Sequence, residues 1–170
     1  MSSYTDENSQ VPEVQENLNL LSGQPLFAKL PSKAIKLLAF LAERVTYDAG
    51  DSIFEEGDDF RRAYIVLQGR LALQKTSGTK IRVVSHFEQH DILGAFALLG
   101  SMPALFSLTA EIKSTLLTIR RQHFSKVLEQ FPETGKIIVE ELLREMYQWE
   151  RKNLTRAEAC CLKRTGVTIL

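Results

Sequence analysis

The stretch that decides the fold of this chain is DILGAFALL, residues 91–99, which is followed by a proline at Pro103. On both sides of it, between residues 45 and 119, short β-branched and aromatic runs alternate with glycine-containing corners such as Gly50 and Gly69. Runs of this length and spacing are typical of an antiparallel β-barrel or sandwich. The predicted strands are 52–55, 63–68, 70–75, 80–87, 91–93, 108–111 and 116–119.

The run at residues 80–87 has the alternation of a strand with one buried face. Ile81, Val83, Ser85 and Phe87 occupy alternate positions, and Arg82, Val84 and His86 lie between them. Because side chains in a strand point to opposite faces in turn, this alternation predicts a half-buried strand.

Helical patterns flank the strands. A helix is predicted over 31–44, with Pro31 in its first turn. A short helix is predicted over 122–130, which ends before Pro132 because the residue preceding a proline avoids the helical region. A long helix then begins near Glu133. Its two apolar stripes are Ile138, Leu142, Met146 and Trp149, with Val139, Leu143 and Tyr147 beside them.

These elements predict one domain that is mainly β with flanking helices, a jelly-roll-like antiparallel β-barrel with one N-terminal and two C-terminal helices. The domain is predicted at 25–150, including the long helix. Residues 1–24 are rich in Ser, Glu, Asn and Gln and predict a disordered segment, apart from a short helical turn near Leu18. Residues 151–170 predict a short basic tail.

Composition excludes several classes of protein. Lys plus Arg and Asp plus Glu both total 21, so no charge excess draws the chain to nucleic acid. The sequence has no long apolar run and no secretory signal pattern, which predicts a cytoplasmic protein without membrane insertion. Cys160 and Cys161 are adjacent, which fits two reduced thiols better than a disulfide framework or a zinc site.

Four blocks in order carry a resemblance to a known family. They are AGDSIFEEGD at 49–58, YIVLQGRL at 64–71, DILGAFALL at 91–99 and LLTI at 116–119. From about Phe27 to Trp149 the chain resembles the cyclic-nucleotide-binding domain family, which includes catabolite-activator-type regulators and regulatory subunits of cyclic-nucleotide-dependent kinases. The stretch at 91–99 resembles the phosphate-binding cassette of that family.

The resemblance implies a cassette that has lost two side chains. The family glycine is kept as Gly94, but its ribose-binding glutamate is replaced by Ala95 and its phosphate-binding arginine by Ala104. Losing the buried charged partner costs about 2–5 kcal/mol, or roughly 30- to 4,000-fold in affinity. Cyclic nucleotide binding is therefore expected to be very weak or absent, and no cofactor or metal is predicted. The vestigial site comprises Gly94, Ala95, Phe96, Ala97, Ala104, Phe106 and Ser107.

Two alternatives stay open for this site. Phe96 and Phe106 are aromatic rings that would fill the cavity and turn a ligand pocket into core. Alternatively, the cation is replaced from elsewhere, by Arg82 or His86 on the neighbouring strand or by Arg61 and Arg62 in the preceding loop. Arg120 and Arg121 are interpreted as surface charge.

The leading function hypothesis is a stand-alone, non-catalytic regulatory module that recognises another protein. Leu142, Met146 and Trp149 are its candidate interface residues, and a homodimer through the long helix is the form that family transcription factors suggest. About 20 residues follow Trp149, too few for a helix-turn-helix module, so DNA binding is not predicted. The alternative is a small-molecule sensor that binds a cyclic nucleotide weakly, or another ligand, in the altered pocket. No catalytic motif supports an enzyme.

Overall fold

The computed structural model describes residues 7–78 and 80–154. Its helices are α1 (Glu7–Gly23), α2 (Ser32–Leu41), α3 (Arg121–Gln130) and α4 (Glu133–Leu154), with a 3₁₀ helix, η1, at Ala95–Leu98. Its strands are β1 (Glu43–Tyr47), β2 (Ser52–Phe54), β3 (Arg62–Gln68), β4 (Leu71–Ser77), β5 (Lys80–Phe87), β6 (Ile92–Leu93), β7 (Ser107–Ala110) and β8 (Ser114–Arg120). Residues 1–6, 79 and 155–170, which include Cys160 and Cys161, lie outside the described residues.

The strands form two antiparallel four-stranded sheets. One has the order β1-β8-β3-β6 and the other has the order β2-β7-β4-β5. Strands that are distant in sequence, such as β1 and β8 or β2 and β7, are neighbours in these sheets, as in a jelly roll. The predicted mainly-β, jelly-roll-like fold with flanking helices is confirmed, with the difference that the two sheets do not close into one continuous barrel.

Two apolar cores hold these layers together. The first lies between the helices and one face of β3 and β8, and its buried members include Phe27, Leu38, Ile65, Leu117 and Phe124. The second lies between the two sheets, where Tyr64, Val66 and Leu116 meet Leu71 and Leu108. Alternate residues of β3 thus enter different cores, as the period of two in a strand requires. The cassette lies at the end of the second core.

Helix α1 replaces most of the disorder predicted over residues 1–24. Leu21 is fully buried, and Val14 and Leu18 pack against the same core at helical spacing. Arg44 binds Glu16 at 2.8 Å, which joins the helix to the start of the first sheet. The polar composition conceals this helix because its stability comes from tertiary contacts, since short isolated helices are marginal in water.

Strand β5 has the predicted bounds but not the predicted burial. Its side chains from Lys80 to His86 are exposed, and Ile81 is 67% exposed. The prediction of a buried face was wrong because, within the described residues, no opposing layer covers either face of β5, the last strand of its sheet, from Lys80 to His86. Alternation alone does not reveal whether an opposing layer covers a strand.

The helix predictions stand with adjusted bounds. Helix α3 covers the predicted 122–130 and stops before Pro132, and α4 begins at Glu133. Helix α2 ends at Leu41 rather than at residue 44, because Glu43 already belongs to β1 and pairs with Thr118. Strand β1 was not among the predicted strands.

Candidate functional site

The cassette runs from the end of β6 through η1 to the start of β7. Gly94, the residue between β6 and η1, has φ 75°, a conformation that L side chains rarely adopt. A Cβ atom at this position would lie 2.6 Å from the Arg62 carbonyl oxygen and 2.6 Å from the Phe60 ring. The glycine is therefore required by the close packing of this turn, independently of any ligand.

Ala104, at the position of the family arginine, is held by its own backbone. Its N–H donates to the Asp58 carbonyl at 2.9 Å, and its carbonyl accepts from the Gly57 N–H at 2.8 Å. The residue is 8% exposed and packs in the core between the sheets. The scaffold that presents this position is intact, and what it presents is a methyl group.

The other cassette residues divide into those that line a cavity and those that do not. Gly94, Phe96, Ala97, Ala104 and Phe106 all line one cavity. The remaining two do not: Ala95 packs against the helix-side core, and the Ser107 hydroxyl accepts a hydrogen bond from the Glu56 N–H at 3.0 Å. Thus five of the seven predicted site residues come together.

The cassette cavity is apolar. It has a volume of about 320 Å³ and every residue lining it is a glycine, a proline or carries an apolar side chain. Phe54 and Phe60 stack in its wall with ring centroids 4.3 Å apart. The lining consists of Phe54, Phe60, Leu73, Phe87, Leu93, Gly94, Phe96, Ala97, Met102, Pro103, Ala104, Leu105 and Phe106. We call this space the cassette cavity.

Phe96 and Phe106 line the cassette cavity without filling it. Phe96 is 46% exposed, and the half-buried Phe106 ring lies beneath the Lys75 ammonium at 5.5 Å. The expectation that these rings convert the pocket into core is therefore wrong. Both rings belong to the lining, and a space of about 320 Å³ stays open beside them.

None of the four cations considered as replacements reaches the cassette cavity. Arg82 is exposed on β5, and His86 lies 3.2 Å from Glu111. Arg61 and Arg62 line a different cavity. The rescue of the site by these side chains is thus not supported by the geometry.

Lys75 is a further cation beside the cassette cavity, and it was not among the predicted site residues. Its ammonium donates to Glu56 at 2.5 Å and to the Leu105 carbonyl at 3.0 Å, in addition to lying over Phe106. The signal was available, since Lys75 follows Leu71 and Leu73 on the same face of a strand. Its charge is already balanced by Glu56, so it does not replace the missing arginine.

A second cavity lies where β3 and β8 meet the start of α3. It has a volume of about 490 Å³ and its lining includes four arginines. The lining consists of Asp59, Phe60, Arg61, Arg62, Arg120, Arg121, Gln122 and Ser125. We call this space the arginine cavity. Arg120 and Arg121 were interpreted from the sequence as surface charge, but the structure brings them together with Arg61 and Arg62.

Asp59 is the carboxylate at the centre of the arginine cavity. Arg121 binds it through two nitrogens at 2.6 and 3.1 Å, and Ser101 and Arg61 donate at 3.0 and 3.1 Å. The hydrogen bonds from Arg121, followed by those from Ser101 and Arg61, hold the pKa of Asp59 well below its usual range. Arg121 also donates to the Ala97 carbonyl at 2.5 Å, which ties α3 to the cassette helix η1.

The predicted interface residues of α4 do not share one environment. Leu142 is 3% exposed and packs in the helix-side core, so it is a core residue. Met146 is half-buried, and Trp149 is 64% exposed. The outward face of α4 instead carries Val139, Leu143 and Tyr147, each more than 40% exposed. Ile138 and Leu142 lie on the other stripe of the helix, which packs in the core. We call Val139, Leu143, Met146 and Tyr147 the α4 face.

Within residues 7–78 and 80–154 no group of three or more His, Cys, Asp or Glu side chains is placed to hold a metal ion. None of the described helices combines the length and apolar character needed to cross a membrane.

Comparisons with known proteins agree with this architecture. A family model described as "Cyclic nucleotide-binding domain" matches residues 44–131. The chain is 28% identical over 110 residues to a cAMP-dependent protein kinase regulatory subunit of Eremothecium gossypii, covering 65% of this chain and 23% of that protein. It is 26% identical over 113 residues to a cyclic AMP receptor protein of Thermus thermophilus, covering 66% of this chain and 52% of that protein. The chain thus matches between about a quarter and a half of the length of these relatives.

Two solved structures show the same similarity in three dimensions. A cyclic nucleotide-binding-like protein from Brucella abortus superposes with a TM-score of 0.62 at 28% identity, covering 67% of this chain and 98% of that one. The N-terminal domain of a transcriptional regulator from Streptomyces coelicolor superposes with a TM-score of 0.68 at 25% identity, covering 78% of this chain and 95% of that one.

Proposed function

The chain belongs to the cyclic nucleotide-binding domain family, and we propose that it is a non-catalytic regulatory module that acts on another protein without holding a cyclic nucleotide in its cassette. The relatives that it matches are regulatory and sensory proteins rather than catalytic ones. The domain scaffold is shared with them, so any difference in function depends on the side chains at the site.

The observation that supports this proposal is the lining of the cassette cavity. A cyclic phosphate is an anion, and moving it from water into an apolar site is costly unless a charge or hydrogen bond compensates. Among residues 7–78 and 80–154, no charged side chain lines the cassette cavity, and Ala104 stands where the family arginine is. The loss of that partner alone is worth about 2–5 kcal/mol, which turns micromolar binding into very weak binding.

Calorimetric titration with cyclic AMP and cyclic GMP tests this proposal. We expect no saturable heat with either nucleotide up to about 1 mM, which corresponds to a binding free energy weaker than about −4 kcal/mol. A melting temperature that does not change with nucleotide is the accompanying expectation, because a ligand stabilises the native state by RT ln(1 + [L]/Kd). Saturable binding at micromolar concentration contradicts the proposal.

The α4 face is the surface that we assign to self-association of the module, apart from its contact with the protein that it regulates. Val139, Leu143 and Met146 follow each other at spacings of four and three residues, the spacing of a helix-helix seam. A second copy of this chain is the partner that such a self-matching stripe fits first. In this arrangement the helices of two copies pack side by side and cover Leu143 and Tyr147.

Sedimentation velocity of two charge-matched variants tests the homodimer. Leu143→Glu is expected to convert a dimer to a monomer, because it places a charge in the seam. Gln148→Glu adds the same charge at another exposed position of α4 and is expected to leave the dimer unchanged. A monomeric wild-type protein would show that the partner is not a second copy.

A second function is supported by the open volume of the cassette cavity. Its 320 Å³ is within the range of small-molecule sites and its lining is rich in aromatic rings, which favours an uncharged ligand over a nucleotide. In this version the domain is a sensor. A thermal-shift series with indole and other uncharged aromatic compounds tests it, and concentration-dependent stabilisation that Ala104→Phe abolishes is the supporting result.

A further inference from the structure

We propose that the arginine cavity is a binding site for a small phosphate-bearing molecule, separate from the cassette cavity. This second site goes beyond the proposed function, because it uses different residues and binds an anion rather than an uncharged ligand. The fold brings its arginines together from two places in the sequence, 61–62 and 120–121.

Two like charges lie opposite each other in the sheet beside the arginine cavity. Arg62 and Arg120 are directly opposite each other in the antiparallel pairing of β3 and β8. Like charges at such positions destabilise a sheet. Two further arginines, Arg61 and Arg121, are their immediate neighbours in the chain and line the same cavity. An arrangement that costs stability in the free protein is favourable when an anion lies between the guanidinium groups.

The carboxylates beside the arginine cavity do not balance the charge of its arginines. Arg120 is paired with Glu43 at 2.7 Å, while Arg61 and Arg121 share the single carboxylate of Asp59. Arg62 has no carboxylate within 4.0 Å among the described residues, and its side-chain partner there is the neutral Tyr64 hydroxyl. Four cations and two anions leave an excess of two positive charges, which matches the charge of a phosphate group at neutral pH.

Hydrogen-bond donors and a residue with an uncommon backbone conformation also lie at the arginine cavity. Arg61 adopts φ 52°, an uncommon value for a residue with a side chain, and such residues often occur at functional sites. Gln122 adds an amide to the lining, whereas the Ser125 hydroxyl, which also lines the cavity, already donates to the Arg121 carbonyl at 3.0 Å. Arg120, the N-cap residue of α3, makes no side-chain capping hydrogen bond, and the first turn of that helix carries no acidic residue.

Size and chemistry together select the class of ligand. Guanidinium groups bind phosphate oxygens in a bidentate manner, which makes arginine the usual residue for this anion. The volume of about 490 Å³ exceeds that of a phosphate ion and leaves room for the organic part of a phosphate ester. Because Arg121 also holds the Ala97 carbonyl, a ligand that draws Arg121 toward itself acts on the cassette helix η1.

Calorimetric titration of the full chain with pyrophosphate tests the site. We expect saturable binding that Arg62→Gln weakens about 10-fold or more, the effect of removing one charge-assisted contact. The matched control is Arg82→Gln, which removes the same charge from exposed strand β5 and is expected to change affinity less than about 2-fold, because exposed charges at a distance are screened.

A second variant keeps the test decisive if Arg62→Gln does not fold. Gln122→Glu places a negative charge at the exposed rim of the cavity, in the first turn of α3, where an acidic residue favours the helix. It is expected to weaken pyrophosphate binding about 10-fold as well. Either no saturable binding up to about 10 mM pyrophosphate, or equal weakening by Arg82→Gln, overturns the proposal. Cyclic AMP is itself a phosphate ester, so its titration is repeated with Arg62→Gln. Heat that this variant abolishes belongs to the arginine cavity, and heat that it leaves unchanged belongs to the cassette cavity, so the two proposals fail separately.

Discussion

The cassette cavity and the arginine cavity lie on either side of Phe60, which lines both, yet they have opposite chemistry. The first has the scaffold of an anion site and an entirely apolar lining. The second is lined by four arginines and one aspartate, in a place where the resemblance to the family predicted no site. The fold determines where a cavity forms, whereas single side chains determine what the cavity binds.

The comparison also shows how the two regions are stabilised. The cassette residues are fixed by backbone contacts: Gly94 by close packing, and Ala104 by two hydrogen bonds to the loop before β3. The arginine cavity is fixed by side-chain charge, through Asp59. Substitution of Ala104 should therefore change ligand affinity at little cost to the fold, whereas substitution of Gly94 would disrupt the turn. Substitution of Asp59 should change stability in a pH-dependent way.

The largest expected effect comes from restoring a cation to the cassette cavity. We expect the double variant Ala104→Arg with Phe106→Ala to bind cyclic AMP at least about 30-fold more tightly than its control, because a buried charged partner is worth 2–5 kcal/mol. The control is Ala104→Met with Phe106→Ala, which supplies a long side chain without a charge. Equal and undetectable binding by both variants in calorimetry would show that more than the arginine has been lost.

A smaller effect is expected from filling the same cavity. Ala104→Leu adds three carbon atoms next to open space, and we expect it to raise the free energy of unfolding by about 2 kcal/mol, at about 0.8 kcal/mol for each buried group. The control is Ala110→Leu in the closed part of the same core, where overpacking is destabilising. Urea denaturation measures both. If Ala104→Leu destabilises as Ala110→Leu does, the cavity is not open.

The smallest effect concerns the arginine cavity and pH. The pKa of Asp59 is lowered in the folded state, chiefly by hydrogen bonds from Arg121, so its carboxylate stabilises the fold above the unfolded pKa of about 3.9. That contribution is lost as pH falls further, through the lower folded-state pKa. We expect Asp59→Asn to melt a few degrees below wild type at neutral pH, and the difference to shrink below about pH 4.

Asp48→Asn is the control for that measurement. Asp48 is 81% exposed and lies 3.8 Å from Lys113, so its ion pair is of the weak surface kind. Its melting temperature is expected to follow that of wild type at every pH. A difference for Asp59→Asn that persists unchanged at low pH would show that Asp59 acts through packing rather than through its charge.

The sequence predicted the parts of this molecule that depend on local patterns. The bounds of β5 and the end of α3 before Pro132 follow from alternation and from proline chemistry. The cassette was found because its residues are contiguous. The exposure of β5 was not predictable in this way, since it depends on which strand ends the sheet.

The arginine cavity escaped prediction for a related reason. Arg61 and Arg62 are nearly 60 residues from Arg120 and Arg121, and only the pairing of β3 with β8 brings them together. The same holds for α1, whose Leu21 is buried by contacts with distant residues. Such sites become visible only when the register of the strands and the packing of the helices are known.

The most direct test of the central claim is a titration of ¹⁵N-labelled protein with cyclic AMP, followed by amide chemical shifts. If the cassette has lost its grip on the phosphate, the amide signals of Gly94, Ala97 and Ala104 stay in place up to about 1 mM nucleotide, the concentration at which binding free energy is about −4 kcal/mol. Saturable movement of these three signals at micromolar cyclic AMP would contradict the claim.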